Sequence, residues 1–358
     1  MLLSLRKTQS KADVEPLLTL ARELGYRTRF LDAGRHVLEL VREDGSVGAP
    51  SDRSRIEELA VVKQVLDASD APELTEARGA TQPTVVRVGW AVFGGGQVSL
   101  IAGPCAVEEL EDLVLVAHAV KRAGATLLRG GAFKPRTSPH SFQGLGREGL
   151  ARLVAAREEV GLEFVTEVLD PRDVPLVADA ADMLQVGSRS MSNAPLLREV
   201  GESGRPVLLK RGLAATVREL LLAAEYVLAT GNPNVVLCER GVRGFDGVTR
   251  NLLDVGAVAH LATATHLPVV VDPSHAAGRS ELVAPLALAG LAAGADGLIV
   301  EVHPSPGRVH SDGAQALSPS AFEELARDVR ALARLRGKTL AVPRPEVPPV
   351  YEVEETAP

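Results

Sequence analysis

The chain has 358 residues, 46% of them hydrophobic and only 3% aromatic, with a formal net charge of -7. That length exceeds one ordinary compact domain and fits a large barrel plus a smaller unit. With so few aromatics the core falls to Ala, Leu and Val, which suits layered helices and strands better than an aromatic-rich sandwich. The acidic balance argues against a general nucleic-acid binder, and no apolar run reaches the roughly 18 residues of a membrane helix. The opening MLLSLRKTQSKAD has no long apolar core and no small-residue cleavage site, so the expectation is a cytoplasmic protein with neither nucleic-acid nor membrane partner.

Residues 1–67 read as a small α+β unit. A strand is predicted at 2–6 and a helix at 14–24, stopped by Gly25. Strands at 28–31 and 36–41 are joined through Asp32-Ala33-Gly34, then come a polar helix at 51–58 and a strand at 61–66. The order β-α-β-β-α-β is ferredoxin-like. Residues 68–97 read as a linker and short hairpin. Its polar stretch ends near 84, and 85–93 is expected to pair with the start of the next domain around a Gly94-Gly95-Gly96 turn.

From residue 98 short β-branched runs alternate with longer amphipathic ones. Strands are predicted at 98–102, 126–129, 163–166, 183–186, 207–210, 235–239, 268–271 and 297–300. Thr216 and Glu219 form a capping box for a helix ending near Gly231, and Ser318-Pro319 is a helix start. Eight such units over 98–338 match a (β/α)8 TIM barrel in number and size. Residues 339–358, rich in Pro and Glu, read as a loose tail.

A TIM barrel builds its site beyond the C-terminal strand ends, so the residues there carry the chemistry. The strand bodies are nearly free of charge, whereas every one of the eight ends carries polar or charged groups. Arg129, Lys134, Arg136, Arg189, Lys210, Arg211 and Arg240 converge on one mouth, and such a gathering of cations calls for more than one anionic group. One or two are expected to pair instead with Glu167, Glu239 or Asp272, Arg211 foremost. Cys105, His275, Glu301 and Asp312 lie on different loops that meet at the same end, a mixed soft and hard ligand set for a divalent transition metal. His303 competes with His275 for the imidazole place. Each ligand also has a plainer reading as a packing or capping residue. Two cysteines are too few for a disulfide framework, and Cys238, inside a strand, reads as a buried inert thiol.

The runs AGPCAVE, LLRGGAFKPRTSPHSFQGLG, QVGSR, LLKRG, LCERG, VDPSHAAGR and IVEVHP resemble the type I beta family of 3-deoxy-D-arabino-heptulosonate 7-phosphate (DAHP) synthases over roughly residues 85–338. KPRTSP with its FQGLG extension is specific; the GPC and DPSH pieces are weaker alone. The resemblance implies a metal-dependent transferase of the shikimate pathway to aromatic amino acids, joining phosphoenolpyruvate to erythrose 4-phosphate. It also implies one divalent ion (Mn, Co, Fe, Zn or Cd) on Cys105, His275, Glu301 and Asp312. Phosphoenolpyruvate contacts carry over to Arg129, Lys134, Arg189, Lys210 and Arg240, and aldose-phosphate contacts to Arg136 and Thr137, with Ser138 adjacent. Catalysis is assigned to Lys134 and Glu167 together with Cys105 and His275. The N-terminal unit resembles a regulatory domain that mediates feedback inhibition by tyrosine or phenylalanine, and the family implies a homo-oligomer, a tetramer ahead of other assemblies. One departure is Ser190-Met191 after Arg189, where relatives often have Asn.

Three alternatives remain. A 3-deoxy-D-manno-octulosonate 8-phosphate synthase would use arabinose 5-phosphate, but it would carry a KANRS-like segment where this chain has KPRTS. A silent amino-acid sensor would have no reason to keep the whole ligand set. A Schiff-base aldolase would use Lys210.

Overall fold

A computed structural model of the chain describes residues 1–6, 11–30, 37–44, 49–66, 74–77, 82–135, 138, 140–305, 307 and 313–345. The turn expected at Asp32-Ala33-Gly34 lies outside these residues, as do most of 68–84 and all of the tail beyond 345. No helix among the described residues is long and apolar enough to cross a membrane.

The first element group is β1 (Leu2–Leu5), α1 (Lys11–Glu23), β2 (Tyr26–Phe30), β3 (Val37–Arg42), α2 (Pro50–Glu57) and β4 (Val62–Leu66). Its sheet is antiparallel in the order β2-β3-β1-β4, the ferredoxin-like arrangement that the element order implies. Alternation puts Leu3 and Leu38 on the helix-covered face, where they meet Leu17 and Ile56; all four are fully buried.

The next segment adds a turn to the one expected from the sequence. β5 (Val86–Val88) pairs with β6 (Ala91–Phe93), so the hairpin closes on itself at Gly89-Trp90. The triglycine is the expected turn from β6 onto the start of the barrel: Gln97 N–H donates to Gly94 C=O at 3.2 Å, and all three glycines are at positive φ, which only glycine adopts freely.

The barrel strands are β7 (Gln97–Gly103), β8 (Leu127–Arg129), β9 (Phe164–Glu167), β10 (Met183–Val186), β11 (Val207–Lys210), β12 (Val235–Glu239), β13 (Val269–Val271) and β14 (Gly297–Glu301). All run parallel, and β14 closes on β7 with Gly297 opposite Ser99 and Glu301 opposite Gly103. Parallel strands covered on both faces are apolar throughout, which is why short β-branched runs marked them in the sequence. Ile101, Leu127, Val165, Leu208, Val236, Val270 and Ile299 fill the interior. The β5–β6 hairpin plugs its N-terminal end: Val86, Val88 and Phe93 join the interior cluster, and the Ser99 hydroxyl accepts from Val92 N–H and donates to Val92 C=O, both at 2.8 Å.

Around the strands lie α3 (Leu110–Ala123), α4 (Arg147–Val160), α5 (Val174–Ala180), α6 (Ala194–Glu202), α7 (Val217–Leu228), α8 (Val255–Ala264), α9 (Pro273–Ala277), α10 (Val283–Ala292) and α11 (Pro319–Leu335). α11 buries Phe322, Leu325, Ala326, Val329 and Ala333, one stripe at helical spacing. The Thr216 hydroxyl accepts from Glu219 N–H at 3.2 Å, and Glu219 accepts from Thr216 N–H at 2.7 Å, completing the capping box. Ser318 caps α11 ahead of Pro319. The segment from 339, read as a tail, starts instead with β15 (Thr339–Leu340), which adds parallel to β7; Thr339 N–H donates to Gly96 C=O at 3.0 Å.

Candidate active site

The C-terminal strand ends open on a cavity of about 270 Å³. Arg129, Lys134, Glu167, Gln185, Arg189, Lys210, Arg240 and His275 line it, gathered from six strand ends. Beside it Cys105, His275 and Glu301 bring their ligand atoms within 4.8 Å of one another.

The run Asp272-Pro-Ser-His275 folds as it does because Asp272 caps α9. Its Oδ1 accepts from His275 N–H at 3.0 Å, and Pro273 takes the first helical position. Oδ2 accepts from His275 Nδ1 at 2.7 Å and from Lys210 Nζ at 2.5 Å. Ser274, in the same turn, accepts from Glu301 N–H at 3.0 Å and so ties β13 to β14. Burial works against the Asp272 charge, but His275, Lys210 and Arg129 outweigh it and hold the carboxyl well below its ordinary range. Burial also lowers His275. The ring is therefore neutral near pH 7. Asp272 can only accept, so the ring proton sits on Nδ1, and the Nε2 lone pair lies 3.2 Å from Glu301 Oε1. Two facing electron-pair donors beside a thiol are a poor arrangement by themselves and a good one around a divalent cation. The donor set fits a transition metal.

Lys134 Nζ donates to Cys105 C=O at 2.9 Å and to Cys105 Sγ at 3.1 Å. Burial disfavours its charge, yet Cys105, Glu167 and Glu301 prevail and raise it above an ordinary lysine. Gly131 permits this contact: a Cβ there would meet Cys105 O and Lys134 Cδ at 2.7 Å each. Burial raises the Glu167 carboxyl against the pull of Lys134, Lys210, Arg129 and Arg189. Arg240 is buried; its Nη1 has no hydrogen-bond partner among the described residues, and burial lowers it.

Three of the expected cations are held by carboxylates, where one or two were expected, because Glu301 adds a partner for Arg129. Arg129 pairs with Glu301 at 3.1 Å, Lys210 with Asp272, and Arg211 with Glu239 and Asp254 at 2.8 and 3.0 Å. Arg211, the cation expected foremost to pair with a carboxylate, is not among the residues lining the cavity. Arg189 reaches Pro135 C=O at 3.4 Å. Next to it Met191 is buried and its sulfur accepts from Gly212 N–H at 3.1 Å. Cys238 is fully buried and pushed up to about 12 by burial, an inert thiol. His303 lies apart from the ligand cluster, its Nδ1 accepting from Ser305 N–H at 3.0 Å. Ser138 is exposed, and its hydroxyl accepts from His140 N–H. Arg136, Thr137 and Asp312 lie outside the described residues.

The DAHP synthetase I family profile matches residues 81–336. The chain belongs to the DAHP synthetase I family. It is 41% identical over 338 residues to a phospho-2-dehydro-3-deoxyheptonate aldolase of Thermotoga maritima, covering 94% of this chain and 99% of that one. A 2-dehydro-3-deoxyphosphooctonate aldolase of Magnetococcus marinus is 31% identical over 279 residues, covering 73% and 96%. A crystal structure of the Thermotoga maritima DAHP synthase superposes with a TM-score of 0.75 at 39% identity, covering 95% and 98%. A truncated form of that synthase gives 0.70 at 42% identity, covering 75% and 98%.

Within this DAHP synthetase I chain, sequence reasoning overlooked Arg243, Arg250 and Asn251, which also line the cavity, and the buried Gln315. The first three sit on the excursion between β12 and α8, beyond the residues that directly follow the strand. Their signal was the length of that polar, glycine-bearing loop on the active end of the barrel.

Proposed function

We propose that this enzyme condenses phosphoenolpyruvate with erythrose 4-phosphate to give DAHP and phosphate. The observation that carries the reading is Arg240: a buried guanidinium facing a cationic cavity with an unpaired N–H needs an anion to complete it. The 41% identity over nearly the whole chain supports the four-carbon sugar ahead of arabinose 5-phosphate, as does the KPRTS segment. Lys210 opposes the Schiff-base alternative, since an ammonium ion-paired to Asp272 has no lone pair to offer.

Arg129, Lys134, Arg189, Lys210 and Arg240 hold the phosphate and carboxylate of phosphoenolpyruvate. Arg136 and Thr137, with Ser138 adjacent, hold the phosphate of the sugar, so that its aldehyde faces C3 of the enol. C3 attacks the aldehyde carbon, and Lys134 supplies the proton to the alkoxide that forms. Water adds at C2 and Glu167 takes one of its protons; the C2–O bond to phosphate then breaks, the C2 hydroxyl proton passing to the departing phosphate as the ketone forms. Cys105, His275 and Glu301, with Asp312, would hold one divalent ion of the Mn, Co, Fe, Zn or Cd group, which supplies Lewis acidity toward the aldehyde. Most of the rate gain comes from fixing two mutually repelling anions among preset charges.

The ferredoxin-like unit of residues 1–67 is assigned to feedback inhibition by tyrosine or phenylalanine, and the assembly to a homotetramer in the cytoplasm. Initial rates with each amino acid and light scattering of the purified protein check these two points. The main test is phosphoenolpyruvate consumption by the metal-loaded protein with each sugar phosphate, with and without chelator. Turnover with erythrose 4-phosphate that is lost on chelation is expected; preference for arabinose 5-phosphate would overturn the substrate assignment.

A further inference from the structure

Beyond β14 the chain makes a short 3-10 turn, Gly313–Gln315, and Gln315 is 1% exposed. Its Nε2 donates to Glu301 Oε2 at 2.7 Å, and its Oε1 accepts from Arg250 Nη1 at 2.9 Å. The two partners fix the amide orientation, because a carboxylate only accepts and a guanidinium only donates. The other carboxylate oxygen, Glu301 Oε1, faces His275 Nε2 at 3.2 Å and Arg129 Nη2 at 3.1 Å. Gln315 therefore grips the side of Glu301 turned away from His275. At its far end it grips an arginine of the substrate cavity.

We propose that Gln315 is a positioning residue that fixes the Glu301 carboxylate for metal binding and couples it to the cavity through Arg250. The proposal rests on the metal reading of Cys105, His275 and Glu301. Glu301 is fully buried, so without Gln315 its Oε2 would lose a donor that water is badly placed to replace, and the carboxylate would be less firmly oriented. An anion that draws Arg250 toward the cavity pulls on the same amide, so metal affinity and anion binding are linked through one side chain.

The test is Mn²⁺ titration of the metal-free full-length protein by calorimetry, with far-UV circular dichroism on every variant. Cys105→Ser is the control that locates the ion and is expected to abolish binding. Gln315→Leu keeps the bulk and loses both hydrogen bonds; a Kd weakened about 10-fold or more with a native spectrum is expected. Arg250→Leu, at an exposed position, removes the far partner of Gln315 and leaves its bond to Glu301; it is expected to give a smaller weakening. Loss of binding in Cys105→Ser with unchanged affinity in Gln315→Leu overturns the proposal alone. If Gln315→Leu does not fold, unchanged affinity in Arg250→Leu overturns it. Binding untouched by Cys105→Ser brings down the metal reading and the proposal together.

Discussion

Glu167 shows how one side chain's role depends on its neighbour's lack of one. A Cβ on Gly187 would lie 1.8 Å from Glu167 Oε1, so only glycine lets the carboxyl occupy this place. Gly187→Ala is expected to displace Glu167 and to lose far more activity than stability, read as kcat against the thermal midpoint. Glu167→Gln should cost about 10²–10⁴-fold in kcat if the carboxylate takes a proton. The raised Glu167 value fixes the sign of the pH effect. The base is present only above a value higher than an ordinary glutamate's, so the rate falls as pH drops through it, and that acid limb vanishes in Glu167→Gln. For stability of the metal-free protein the same shift acts in reverse. The folded state favours protonated Glu167, a contribution present at low pH and lost as pH rises through the raised value. Asp272, held low, contributes above the ordinary aspartate range and loses it on acidification. Lys134→Ala should abolish turnover with the spectrum intact; near-normal rates would remove its assigned role. None of these environments was legible from residue types: the sequence named Lys134, Glu167 and Asp272, but the Gly187 contact and the Gln315 bridge exist only once distant loops meet.

At the scale of elements, eight strands were readable because parallel, doubly covered strands leave unbroken β-branched runs such as Val235–Glu239. Helix starts were readable because caps are local chemistry, as at Thr216 and Ser318. The turn at Gly94-Gly95-Gly96 was readable, whereas the one at Gly89-Trp90, where Val86 comes to lie opposite Phe93, carries a weaker turn signal. β15 escaped notice because two residues carry no periodicity; only the unpaired edge at the start of β7 selects them. Phe93 is fully buried inside the barrel's N-terminal end, so Phe93→Ala should cost about 3–5 kcal/mol. Urea unfolding would measure it, with little change in kcat for the fraction that stays folded.

For the whole molecule, the contrast is between a formal charge of -7 and a cavity lined by arginines and lysines. Exposed charges are screened beyond about 8 Å at physiological ionic strength. Added salt should therefore raise KM for the anionic substrates more than it lowers kcat, a pattern that steady-state kinetics between low and high KCl would show. Residues 74–77 also bind the linker to the barrel: His266 Nε2 donates to Leu74 C=O and its Nδ1 is hydrogen-bonded to Thr84 Oγ1, both at 2.7 Å, and Thr75 N–H donates to Glu225 at 2.9 Å. His266 lies a few residues before β13, whose other end carries Asp272 and His275.

Among the described residues, the plug formed by β5 and β6 closes the N-terminal end of the barrel, and the cavity opens at the other. Whatever lies deepest must enter before its companion. On the proposed assignment of Arg129 and Lys210 to phosphoenolpyruvate, that substrate is first in, and entry to the enzyme is a queue. Kinetics should show compulsory order, with a dead-end analogue of the sugar phosphate giving uncompetitive inhibition against phosphoenolpyruvate.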